Sequence, residues 1–193
     1  MIINKIWLPN FLTLSRLIIS PLILPFLIVY LIPLDYFFIN FFIGLLFLAF
    51  CLTDFFDGHY ARKFEYLSKI GALLDPIADK FLIYSTLIPL VAIGKIYFFW
   101  AIILIGREFF VMGIRLIGSE HNVKVPVFFL AKCKTFFEML YIASVIFQTS
   151  DRQWFFYESL FLCVSLFCAL MSAYQYFVIV YQNFKGMNNA DFF

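Results

Sequence analysis

Four aspartates, Asp54, Asp57, Asp75 and Asp79, fall within LTDFFDGHYARKFEYLSKIGALLDPIADK, residues 52–80, inside or beside some of the most apolar sequence of the chain. Asp54 and Asp57 are three apart and Asp75 and Asp79 four apart, so on helices each pair shares a face. Gly58 and Ala61 continue the first face, Arg62 follows one turn after Gly58, and Gly71 precedes Asp75 by one turn. Pro76 starts or kinks its helix, and either way Asp75 and Asp79 stay close. Four carboxylates brought together in a low-dielectric place repel one another. A charge at a membrane centre costs ~2.5–3.5 kcal/mol on insertion scales, and intramembrane ionisable residues default to function. One nearby arginine is too little compensation. An all-oxygen ligand set suits hard divalent cations, and two carboxylate pairs suit two such ions. A two-metal site clamps phosphates and stabilises in-line displacement. Gly58, Ala61 and Gly71 leave space there for a phosphorylated ligand to approach the backbone.

The elements that must carry these residues are long and apolar. The chain has 193 residues, 64% hydrophobic, 22% aromatic and 13% charged. A water-soluble domain of this size could not hide so much apolar surface, so an integral membrane protein is expected, all-α and polytopic, forming a single domain over residues 1–193. A ruler of about 20 apolar residues fits about six spans, near residues 11–32, 36–56, 71–93, 97–117, 125–147 and 155–181, followed by a polar tail from Gln182. No cleavable signal peptide is expected, since the first apolar run continues for a full span. Cys51, Cys133, Cys163 and Cys168 form no CxxC pair and read as small buried hydrophobes. Lys5, the Arg62–Lys69 segment, Arg115, Lys124 and Lys185 fall on one side of this topology, and Lys95 and Arg152 on the other. Both termini and the aspartates are therefore expected on the cytoplasmic side.

The motif itself is familiar. DFFDGHYAR, eight residues, then GALLDPIAD resembles the signature DxxDGxxAR…GxxxDxxxD of the CDP-alcohol phosphotransferase family, with every fixed position present. The resemblance implies a six-helix membrane enzyme, usually a homodimer, that moves a phosphatidyl-type group from a CDP-linked donor to an alcohol and releases CMP. It implies that Asp54, Asp57 and Asp75 are metal ligands and that Asp79 is the base and a co-ligand. Two Mg²⁺ or Mn²⁺ ions, CDP-diacylglycerol and membrane lipid are the implied cofactors and partners, with no nucleic acid. LPNFLTLSRL, LLDPIADK, IGREFFVMGIRLIGSEHNV and AKCKT are similar to the bacterial branch that uses sn-glycerol 3-phosphate, which implies location in the bacterial inner membrane. Ala131 and Gln175 depart from that branch, where a glycine and an acid are expected.

A glycerol phosphate needs cations. Arg107, Arg115, Lys132 and Lys134 lie in the fourth and fifth spans, with Glu108 seven residues before Arg115 and Glu138 four after Lys134. Arg115 and Lys134, expected near the cytoplasmic face, are the stronger phosphate candidates, with arginine able to grip phosphate bidentately. Arg107 and Lys132 suit a phosphate as well as they suit a structural role, in ion pairs or as side chains reaching the interface. Asn10, Thr13 and Arg16 share a stripe and belong either to a helix cap and interface anchor or, with Gly58, Ala61, Arg62 and Gly71, to the CDP-lipid site. Two other functions remain open on the residues: transfer to inositol phosphate, serine or a lipid, and ion- or proton-coupled transport through the acidic cluster.

Overall fold

The computed structural model describes the backbone of residues 21–63, 69–121, 125–149 and 154–190, and the side chains of residues 21–52, 80–121, 125–149 and 155–184. All regular structure among the described residues is helical. The helices are α1 (21–31), α2 (Phe37–Lys63), α3 (Lys69–Ala92), α4 (Phe98–Glu120), α5 (Phe129–Phe147) and α6 (Trp154–Ala190). After α1 the chain tightens into a 3₁₀ turn, Ile32–Leu34, around Pro33. Asp35 ends it at φ 54°, donating its backbone N–H to Ile32 O at 3.0 Å. Aspartate is among the few residues that tolerate this left-handed conformation.

Several boundaries differ from the apolar ruler, because apolar runs and helices end for different reasons. α2 continues to Lys63, seven residues past Phe56; polar residues end burial without ending backbone hydrogen bonding. α3 begins at Lys69, so Pro76 lies eight residues into a helix that continues through it, rather than starting one. α5 begins at Phe129 instead of near Val125, consistent with Pro126 holding the preceding residue in extended conformation. The tail after Tyr181 is helical as far as Ala190.

The chain forms two compact units. The first comprises Met1–Tyr97 and Ile142–Phe156. Its buried apolar positions recur every fourth residue along α1 and the turn after it (Leu24, Ile28, Ile32) and on α2 (Ile43, Phe47, Cys51), joined by Leu82, Leu87 and Leu90 of α3 and Ile142 and Ile146 of α5. α2 and α3 contact each other. Gly44 of α2 faces Phe147 so closely that a Cβ would fall 2.6 Å from the ring; a bare backbone here permits close approach. Asn40 Nδ2 and Lys95 Nζ both donate to Gln148 O, at 3.3 and 3.1 Å.

The second unit comprises Phe98–Tyr141 and Tyr157–Phe193. α4 buries Leu104, Arg107, Val111, Ile114 and Gly118, a stripe with helical spacing. On α6 the buried residues Ser165, Cys168, Ala169 and Ser172 are small, with Tyr176 and Val180 buried further along, whereas Phe167, Leu170, Met171, Tyr174 and Phe177 point outward. Outward-facing large apolar residues recur on the other helices too, among them Phe38 at 83% exposure. Contiguous apolar surface of this kind marks a partner or a membrane. Phe155–Phe184 of α6 is long and apolar enough to cross a bilayer; 21–34, 37–52 and 80–92 are shorter apolar helical stretches. α4 and α5 are more heavily charged, with Arg107, Glu108, Arg115 and Glu120 on one and Lys132, Lys134 and Glu138 on the other. The cysteines are free, and Cys163 is exposed rather than buried.

α3 ends in a Schellman cap. Gly94 adopts φ +75°, its N–H donates to Val91 O at 3.0 Å, and Lys95 N–H donates to Leu90 O at 2.9 Å, which satisfies carbonyls the helix end would otherwise strand. A Cβ at Gly94 would meet no neighbour, so the requirement is conformational alone. Gly94→Ala is expected to lose ~1–2 kcal/mol and to lower the unfolding temperature in detergent, with Gly94→Asn losing less. Thermal unfolding of the two variants checks this.

Candidate active site

The aspartate motif occupies the two helices that pack together in the first unit. Asp54, Asp57, Gly58, Ala61 and Arg62 are on the last turns of α2, and Gly71, Asp75 and Asp79 on the first turns of α3. The backbone at these positions is helical, so the spacing of three and of four places each pair on one helix face. Their side chains, residues 64–68 between the helices, and Asn10, Thr13 and Arg16 lie outside the described residues. Among side chains that are described, no three of His, Cys, Asp and Glu gather as a metal site. The donor set of the motif fits divalent ions: four carboxylates, all hard oxygen ligands, on two helices in contact.

The second unit holds a buried charge cluster. Lys134 Nζ of α5 is fully buried and donates to Glu108 Oε1 of α4 at 2.8 Å and to Glu138 Oε2 at 2.6 Å. Arg107 Nη1 donates to the same Glu108 Oε1 at 2.8 Å. Arg107 also donates through Nε to Ala169 O at 3.3 Å and through Nη2 to Ser172 Oγ at 2.5 Å on α6. The cluster thus ties three helices together. Arg115 and Lys132, by contrast, are exposed. Lys132 and Lys134 are two apart on one helix, which turns them to nearly opposite sides. Of the four cations expected to serve a phosphate, two are held by carboxylates and two face outward.

Ser172 and Ala169 were absent from the candidates drawn from sequence, as was Tyr176. The Tyr176 hydroxyl accepts from Phe128 N–H at 3.4 Å, just before α5, and its ring meets Phe128 edge-on at 4.8 Å. The available signal was the run of small residues Ser165, Ala169 and Ser172 at spacings of four and three on an otherwise bulky helix. Ala131 is packed against the buried cluster of Val111, Ile114, Tyr176 and Val180, where a side chain this small fits. Gln175 is half-buried, and its Oε1 has no hydrogen-bond partner among the described residues.

The family model for CDP-alcohol phosphatidyltransferase matches residues 6–174, across both units. The chain belongs to the CDP-alcohol phosphatidyltransferase family. Relatives carry one shared name, CDP-diacylglycerol–glycerol-3-phosphate 3-phosphatidyltransferase. The Rickettsia bellii protein is 33% identical, covering 88% of this chain and 93% of the relative. The Bacillus subtilis protein is 30% identical over 94% of this chain and 98% of its own length. The Aquifex aeolicus protein reaches 44% identity over 42% of this chain and 40% of its own. The family's aspartate signature is intact here from Asp54 to Asp79.

Removing one member of a buried charge cluster strands its partner, at a cost on the order of 3–5 kcal/mol. Glu138→Ala is therefore expected to lower the unfolding temperature sharply, and Lys134→Met with Glu138→Leu to recover much of that loss, a non-additivity characteristic of contacting residues. Thermal unfolding of the single and double variants in detergent checks this.

Proposed function

We propose that the chain is a metal-dependent phosphatidyltransferase that joins CDP-diacylglycerol to sn-glycerol 3-phosphate, giving phosphatidylglycerol phosphate and CMP. The observation that carries this is the intact aspartate signature within a chain that matches relatives of that name along nearly their whole length. In this reading Asp54, Asp57, Asp75 and Asp79 hold two divalent ions, Mg²⁺ or Mn²⁺. Bound there, the ions would supply positive charge to the pyrophosphate of the CDP-lipid. Gly58, Ala61 and Gly71 leave room for the nucleotide diphosphate, and Arg62 adds charge or orients the nucleotide. Asn10, Thr13 and Arg16 belong to the same donor site.

Asp79 accepts the proton of the acceptor hydroxyl as its oxygen bonds to the β-phosphorus. The bond from that phosphorus to the oxygen bridging to CMP breaks, and CMP leaves carrying the negative charge. A carboxylate that also serves metal ions is a weak base, so positioning and charge stabilisation supply most of the rate. Arg115, Arg107 and Lys134 serve the acceptor phosphate, the first from an exposed position, while Lys132, turned to the other side of α5, reaches the interface. Cations at these places favour a phosphorylated acceptor over serine. No comparable observation favours ion transport.

The protein works as a polytopic membrane enzyme of about six spans, in the bacterial inner membrane, with both termini cytoplasmic and as a homodimer. The apolar outer faces support lipid contact, and the excess of lysine and arginine on one side supports the orientation.

Asp79→Asn is expected to keep CDP-diacylglycerol binding and to lose roughly 10²–10⁴-fold in turnover, the usual range for a general base. Turnover with the purified variant, beside binding of the CDP-lipid, checks the role, and full activity in Asp79→Asn would remove it. Chelation of divalent ions is expected to abolish CMP release, with Mg²⁺ or Mn²⁺ restoring it.

A further inference from the structure

We infer that Glu108 and Glu138 are positioning residues that mask the charge of Arg107 and Lys134 and so set how tightly a phosphate monoester binds. This rests on the acceptor reading above. Glu108 Oε1 accepts from both cations at once, 2.8 Å from Arg107 Nη1 and 2.8 Å from Lys134 Nζ. One oxygen bridging a guanidinium and an ammonium stands where an oxygen of a phosphate would bridge them. Glu138 Oε2 holds Lys134 from its own helix at 2.6 Å. The four side chains carry two positive and two negative charges, and both lysine contacts are buried, with side-chain exposures of 1% for Lys134, 10% for Glu108 and 3% for Glu138.

Two consequences follow from this arrangement. With the carboxylates in place, the cluster presents little net field, and removing carboxylate charge would leave buried cations uncompensated. A phosphate dianion reaching Lys134 and Arg107 must therefore take over a position that Glu108 already holds. Affinity for the acceptor phosphate is then the difference between two anions competing for the same donors. Ser172 Oγ and Ala169 O fix the far side of Arg107, at 2.5 and 3.3 Å, so the guanidinium stays in place while its carboxylate partner changes.

The test compares wild type with Glu108→Gln, which keeps the shape and one carbonyl oxygen but removes the charge. Transfer from CDP-diacylglycerol is measured over a range of glycerol 3-phosphate, with inorganic phosphate as competitor. The expected result is a fall of about tenfold in both the KM for glycerol 3-phosphate and the inhibition constant of phosphate, with the KM for CDP-diacylglycerol unchanged and Glu108→Asp close to wild type. A purely structural role would leave the anion constants unchanged or weaken them, and that result overturns the inference. If Glu108→Gln does not fold, Glu138→Gln makes the same charge change at Lys134 and must tighten phosphate in the same direction. If wild type transfers nothing to glycerol 3-phosphate, the acceptor reading fails instead; if wild type turns over normally while both variants keep wild-type anion constants, only the masking role fails.

Discussion

Lys134 is fully buried between two glutamates, and α4, α5 and α6 meet around the requirement that it stay compensated. An ammonium in such surroundings is costly unless carboxylates meet it directly. Glu138 does so from one turn along the same helix, and Glu108 does so from α4. Glu108 in turn engages Arg107, which reaches the Ser172 hydroxyl and the Ala169 carbonyl on α6. The small residues Ser165, Ala169 and Ser172 of α6 allow this approach, and Phe167, Leu170 and Tyr174 face outward beside them. Of the charges on α4 and α5, those of Arg107, Glu108, Lys134 and Glu138 are thereby neutralised inside the unit.

The same constraint gives the aspartate motif its meaning. No arrangement of four carboxylates near an apolar surface compensates itself, and Arg62 adds only one positive charge. In the proposed function, cationic cofactors and a nucleotide diphosphate would together satisfy both the helices and the chemistry: the ions would answer the carboxylates, and the pyrophosphate the ions. The carboxylates of the two units would then have different tasks, those of α2 and α3 holding metal, whereas Glu108 and Glu138 are answered by Arg107 and Lys134.

Much of this was legible in the chain because helical periodicity is a strong signal. The all-helical class, the pairing of Lys134 with Glu138, and the placement of both aspartate pairs on helices follow from spacings of three and four. Helix ends were less legible. Apolar length places the ends of spans, but α2 and α6 continue through polar residues, and α5 waits for Phe129 beyond Pro126. Least legible was the partner of Glu108. Its stripe on α4 pointed along the helix towards Arg115, whereas Lys134 approaches from α5, 26 residues on. Pairing across helices depends on packing angle and rotation, which residue spacing does not encode. The grip of Ser172 and Ala169 on Arg107 was hidden for the same reason, since small residues are informative only once their neighbour is known.

The central claim is that the aspartate helices transfer a phosphatidyl group to a phosphorylated acceptor. It is tested most directly by the lipid product formed when purified protein, CDP-diacylglycerol and Mg²⁺ or Mn²⁺ meet a panel of labelled alcohols. The account predicts labelled phosphatidylglycerol phosphate, with matching release of CMP, from glycerol 3-phosphate and little product from serine. Efficient transfer to serine or a lipid alcohol with none to glycerol 3-phosphate would contradict the acceptor assignment, and no CMP from any alcohol would contradict the enzyme itself.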